Sequence, residues 1–129
     1  MSISIRQNDK DALRLTAVAA GHELALDMPA PQGEGPDPHD YFDTALGGCK
    51  AMTVLLYARR KGYPLEHVAV NVERDASRER EGVYGLSVTL TLQGTLDEAQ
   101  RQDLLAIADR CPIHRLMTQA DIEVSTRLG

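Results

Sequence analysis

Apolar residues recur every second position in some stretches of this chain and at helical spacing in others. Ile3 and Ile5, then Leu13, Leu15 and Ala17, mark two short β-prone segments within residues 3–8 and 12–18. Ala20-Gly21 reads as a turn, and His22, Leu24, Leu26 and Met28 return at period two as a third strand. PAPQGEGPDP, residues 29–38, is dense in proline and glycine and therefore a loop. Asp37-Pro38-His39-Asp40 then carries the signals of a helix start: an N-cap, a proline at the first position and an acid at the third. Phe42, Ala45, Leu46, Cys49, Met52, Leu55 and Leu56 follow at helical spacing. Arg59, Arg60 and Lys61 suit the negative end of the helix, and Gly62 stops it. The result is a helix of roughly 24 residues, about 36 Å long.

Val68, Val70 and Val72 predict a fourth strand, and ERDASRERE (73–81) a charged connector in solvent. Leu86, Val88, Leu90 and Leu92 alternate with Ser87, Thr89 and Thr91, a half-buried strand. Thr95 and Glu98 have capping-box spacing and predict a helix over 96–110. Cys111-Pro112 opens a short further helix, and Ile122, Val124 and Thr126 predict a last strand. The expected order is β-β-β-α-β-β-α-α-β, an α+β protein built from hairpins. Met52, Leu55 and Leu56, with Ala45 and Leu46, spread over more than a narrow stripe of the long helix, so a second subunit is the expected cover.

The 129 residues suit one domain, and 43% hydrophobic with 26% charged residues is a globular composition. No apolar run reaches the ~20 residues of a membrane helix, and the N-terminus lacks the apolar core of a secretory signal. The expected setting is the reducing cytoplasm, with no membrane partner. The net charge of −5 argues against a nucleic-acid partner, and no basic stripe interleaved with aromatics appears. That charge is concentrated: residues 15–57 hold Glu23, Asp27, Glu34, Asp37, Asp40 and Asp43 against Lys50 alone.

Two cysteines, Cys49 and Cys111, lie 62 positions apart. In a reducing compartment a permanent disulfide is disfavoured. Two buried thiols packing as small hydrophobes is one reading and a reactive pair is the other. A metal site would need Cys49, Cys111, His114 and one more ligand, without any CxxC or HxxxH pairing, and no metal is expected.

GPDPHDYFDTALGGC (35–49), the long apolar helix and KGYPLEHVAVNV together resemble the OsmC/Ohr family of peroxide-reducing stress proteins. DRCPIHRLM (109–117) resembles the family's second-cysteine segment, in which Cys-Pro opens a short helix. The element order agrees across nearly the whole chain, and the short N-terminal part looks most like the compact OsmC-like branch. The resemblance implies one OsmC-like α+β domain over 1–129, with antiparallel sheets packed on a long central helix. It implies an intertwined homodimer with active sites at the subunit interface. Cys49 would be the peroxidatic cysteine and Cys111 the resolving one. Organic hydroperoxides would be the substrates and a dithiol, such as a lipoylated protein, the reductant; no cofactor is implied. Active relatives use an N-terminal arginine held by an acid upstream of the nucleophile. That acid falls at His39 or Asp40; Asp40 keeps the carboxylate, and Arg6 and Arg14 are the arginines of the region. The alternative is a non-enzymatic OsmC-like dimer that binds a small hydrophobic ligand or senses redox state.

Thiol peroxidase chemistry needs a thiolate, and a free cysteine has a pKa of about 8.5. Cys49 lies twelve positions past Asp37, beyond the first turn where a helix dipole acts, unless Gly47-Gly48 breaks the helix. Asp40, nine positions before Cys49, falls on the opposite side of a regular helix, so it would act through an intermediary or serve only as the cap acid. Lys50 points about 100° from Cys49 and is expected in solvent. The activating cation is therefore expected from outside residues 15–57. His114, three residues after Cys111, could face it across one turn, with an exposed polar residue as the default. Phe42, Met52 and Leu56 would either line a pocket for organic peroxides or pack the core.

Overall fold

The computed structural model describes all 129 residues, which divide into two compact units, residues 1–42 and 43–129. No helix is long and apolar enough to cross a membrane. In the first unit, β1 (Ser4–Gln7), β2 (Leu15–Ala19) and β3 (His22–Leu26) form an antiparallel sheet in that order. Ile5 faces Ala17 across β1–β2, and Ala17 faces Leu24 across β2–β3. The alternation read from the sequence thus sets the register, with Ala17 buried at its centre. Tyr41 donates its hydroxyl to the Ala25 carbonyl at 2.5 Å.

α1 (Pro38–Lys61) is one uninterrupted helix. Its start is closed reciprocally: Asp37 Oδ1 accepts the Asp40 N–H, and Asp40 Oδ2 accepts the Asp37 N–H, each at 2.9 Å. Its end is closed by Gly62 at φ +69°, with the Tyr63 N–H donating to Ala58 O at 2.9 Å.

In the second unit, β4 (Leu65–Asp75) and β5 (Gly85–Gly94) form an antiparallel hairpin. Val68 pairs with Leu92, Val70 with Leu90 and Val72 with Val88, which turns one apolar face toward the core. α1 lies close against that face at Gly47: a Cβ there would sit 2.8 Å from Val72 Cγ2. Only glycine permits the approach. α2 (Glu98–Ala108) and α3 (Pro112–Thr118) follow. Val54 and Ala58 of α1 meet Leu104 and Ala108 of α2, with Val68, Leu90 and Leu92 packed around them.

Three expectations change. The buried stripe of α1 in this unit runs through Asp43, Gly47, Lys50, Val54 and Ala58 with Leu46 beside it, whereas Met52 and Leu56 are each 66% exposed. Phe42, in the first unit, is exposed as well. The helix is apolar on more than one face, and β4, β5 and α2 cover only one of them. The cap of α2 is Asp97 with Gln100, one box of the same spacing two residues beyond Thr95, because a carboxylate accepts the N3 N–H more strongly than a hydroxyl does. The last strand does not form: no regular element follows α3, and Ile122, Val124 and Leu128 are exposed. A strand needs a ladder partner, and no strand of this chain pairs with 122–126.

Candidate active site around two cysteines

Cys49 sits half-buried on α1, and Cys111 is fully buried at the N-cap of α3. The two thiols are free and lie within electrostatic reach of each other, although 62 positions separate them. Cys111 Sγ also accepts the backbone N–H of His114 at 3.3 Å. Burial pushes the Cys111 thiol above its ordinary pKa. The His114 N–H opposes that shift, the Cys49 thiol adds to it, and the charge of Lys50 pulls it back down. α1 runs unbroken through Gly47-Gly48, so its N-terminal dipole stays out of reach of Cys49.

Lys50, expected in solvent, is buried at 3% exposure. Its ammonium donates to Ala108 O at 2.9 Å, to Asp109 Oδ1 at 3.1 Å and to His114 Nδ1 at 2.9 Å. The physical reason is the end of α2, whose last carbonyls carry partial negative charge and attract a cation. A buried cation beside the cysteines therefore comes from within residues 15–57, not from outside it, and its field falls on Cys111. His114 does meet Cys111 across one turn, but through its backbone N–H; its imidazole turns to Lys50. Accepting from an ammonium at Nδ1 leaves the neutral ring's proton on Nε2. No three His, Cys, Asp or Glu side chains converge to hold a metal ion.

A second charged cluster lies on the same stripe of α1. The Asp43 carboxylate accepts Arg74 Nε from β4 at 2.6 Å and the Tyr84 hydroxyl at 2.8 Å. Burial, and then the bond to Asp43, push Tyr84 up to about 12. Asp43 is thus neutralised locally by a base from outside the acidic stretch. Arg74, expected in the solvated connector of residues 73–81, lies on β4 and is a partner of the helix.

Asp40 lies in the first unit, where its carboxylate serves the helix cap, and His39 Nδ1 stands 4.0 Å from Asp37 Oδ2. Arg6 is exposed on β1, and Arg14 pairs with Glu34 at 3.5 Å.

The sequence pattern of the OsmC-like proteins matches residues 31–127, which include both cysteines and the Lys50 network. This chain belongs to the OsmC-like family. No curated protein matches it. Among solved structures, an OsmC-like protein from Mycoplasma pneumoniae is 20% identical, with a TM-score of 0.75 over 92% of this chain and 86% of that one. The organic hydroperoxide resistance protein OhrB of Bacillus subtilis is 18% identical, with a TM-score of 0.61 over 92% of each chain. An organic hydroperoxide resistance protein OsmC from Legionella pneumophila is 21% identical, with a TM-score of 0.61 over 92% of this chain and 88% of that one. The α+β fold of this OsmC-like chain is therefore shared with both OsmC-like and hydroperoxide-resistance proteins.

Sequence reasoning placed Lys50 in solvent and gave no role to Asp43, Arg74 and Tyr84. The signal was present in the spacing: Asp43, Gly47, Lys50, Val54 and Ala58 follow one another at four, three, four and four positions. Selecting apolar residues alone hides that face, because two of its members are charged and one is glycine.

Proposed function

We propose that this chain is a thiol peroxidase of organic hydroperoxides in which Cys49 attacks and Cys111 resolves. The observation that carries the reading is the juxtaposition of the two thiols, from α1 and the start of α3, close enough that Cys49 raises the pKa of Cys111. The more accessible thiol is Cys49, the one a peroxide reaches first. Its thiolate attacks the terminal oxygen of the hydroperoxide, the O–O bond breaks, and the alkoxide leaves and takes a proton to become an alcohol. Cys49 is left as a sulfenic acid. The Cys111 thiolate attacks that sulfur, an S–S bond replaces the S–O bond, and hydroxide leaves. A dithiol, such as a lipoylated protein in the cytoplasm, then returns two electrons and regenerates both thiols.

The functional unit in this reading is an intertwined homodimer. Two observations support it: the exposed Met52 and Leu56 on α1, and the exposed alternating segment at 122–128, whose missing ladder partner a second copy would supply. Asp40 remains the proposed acid for an arginine of the N-terminal region, Arg6 or Arg14.

The test is cumene hydroperoxide consumption with dithiothreitol or a lipoyl donor, comparing wild type with Cys49→Ser. Turnover in wild type and its loss in the variant are expected; equal rates reject the assignment. A redox-sensing dimer is the second reading, favoured because the charge of the buried Lys50 bears on Cys111, the thiol assigned to resolve. It predicts stoichiometric disulfide formation without turnover.

A further inference from the structure

Two of the three groups that hold Lys50 also frame Cys111. Asp109 precedes that cysteine by two positions, and His114 follows it by three and donates its N–H to the sulfur. The ammonium has three N–H bonds to give, and Ala108 O, Asp109 Oδ1 and His114 Nδ1 accept all of them. Burying a cation is costly unless its partners replace water, and an apolar side chain could fasten α1 to α2 without that cost. The charge itself therefore calls for a role. Its counter-charge is only partial, because the Asp109 side chain is 73% exposed and screened by water, while the Lys50 side chain is 4% exposed. The Lys50 charge reaches the buried Cys111 thiol and pulls its pKa down, against burial and the Cys49 thiol.

We propose that Lys50 is a positioning residue of the resolving step, fixed by Ala108, Asp109 and His114 so that its charge stabilises the Cys111 thiolate that attacks oxidised Cys49. The inference rests on the peroxidase reading for its step and extends it to a residue outside the reacting pair. In that step the thiolate sulfur is oxidised and the sulfenic sulfur reduced as the S–S bond forms, and the released hydroxide takes up a solvent proton. Burial works against the thiolate, and Lys50 is the side-chain cation that opposes it. The titratable groups at the thiol are Cys49 and Lys50 from α1, with Asp109 from the turn after α2 and His114 from α3 behind the ammonium.

The thiolate of Cys111 is titrated by its ultraviolet absorbance in Cys49→Ser, alone and combined with Lys50→Met, Lys50→Arg or Asp109→Asn. Lys50→Met is expected to raise the midpoint by about one pH unit, a tenfold change in proton affinity, and Lys50→Arg to restore most of it. Asp109→Asn is expected to move the midpoint the other way, since it removes the opposing charge. A midpoint that Lys50→Met leaves unchanged, with the fold intact by circular dichroism, overturns the proposal. If Lys50→Met does not fold, the exposed Asp109→Asn decides, and an unmoved or raised midpoint overturns it. In otherwise wild-type protein, the lifetime of the Cys49 sulfenic acid after one equivalent of peroxide is followed by dimedone capture. Lys50→Met should prolong it about tenfold at neutral pH, with recovery at alkaline pH that a packing defect would not show. Absence of any sulfenic acid in Cys111→Ser rejects the peroxidase reading, while the thiolate titration still judges Lys50.

Discussion

Arg74 on β4 places its Nε 2.6 Å from the Asp43 carboxylate on α1, and this pair ties the helix to the hairpin. The Asp43 side chain is 12% exposed and that of Arg74 30%, so removing the guanidinium leaves a mostly buried carboxylate without its counter-charge. Asp43→Asn should lower the unfolding free energy by about 2 kcal/mol, read from urea denaturation with an unchanged slope. Arg74→Lys should recover only part of the wild-type value, because an ammonium cannot reproduce the guanidinium geometry.

Tyr84 gives the same cluster a pH signature. Its folded pKa is raised to about 12 from 10.0 by burial and the bond to Asp43. A raised value in the folded state favours the neutral phenol, so this contribution is fully present below pH 10.0 and is lost as pH climbs through about 12. Tyr63, raised to about 12 by its hydrogen bond to Asp103 and by burial, acts in the same window and with the same sign. Urea midpoints measured across that window should fall steadily, and Tyr84→Phe should flatten the fall.

Gly47 and Gly48 are neighbours with opposite prospects. A Cβ at Gly47 meets Val72 at 2.8 Å, whereas one at Gly48 meets nothing within 4 Å. Gly47→Ala should destabilise by about 1 kcal/mol, overpacking outweighing the helix-propensity gain. Gly48→Ala keeps only the gain and should stabilise by up to about 1 kcal/mol. Equal thermal midpoints for the two variants would contradict the packing of α1 on β4.

Cys111→Ser should leave the first oxidation intact and block the second. After one equivalent of cumene hydroperoxide, intact mass should show one added oxygen per chain in the variant and loss of two hydrogens in wild type. A wild-type mass with the oxygen retained would separate the thiols in solution.

Light scattering should return the mass of a dimer, and deletion of residues 121–129 should weaken it. A clean monomer mass in the full chain would leave Met52, Leu56 and the C-terminal segment without the cover proposed for them.

The fold was legible wherever one face of an element is apolar and the other polar. β4 and β5 satisfy that condition, as do the Asp37 cap and the Gly62 stop of α1, and the order of elements followed from them. The failures have a common physical origin. The pattern at Ile122, Val124 and Thr126 describes a strand, but a strand exists only beside a partner, which periodicity does not supply. The face of α1 was misread because it buries Asp43 and Lys50, residues whose partners Arg74, Ala108 and His114 lie far away in the chain. Both cysteines were found by their local sequence; the lysine adjacent to one of them, and serving the other, was not.

The unequal burial of the two thiols imposes a chronology on any reagent in solution. Cys111 has no exposed surface and Cys49 has some. A bulky maleimide should therefore modify one site per folded chain and two per unfolded chain, with Cys49 first. Irreversible damage by excess oxidant should follow the same order, so the sulfinic acid of an over-oxidised sample belongs at Cys49, with Cys111 spared as a thiol.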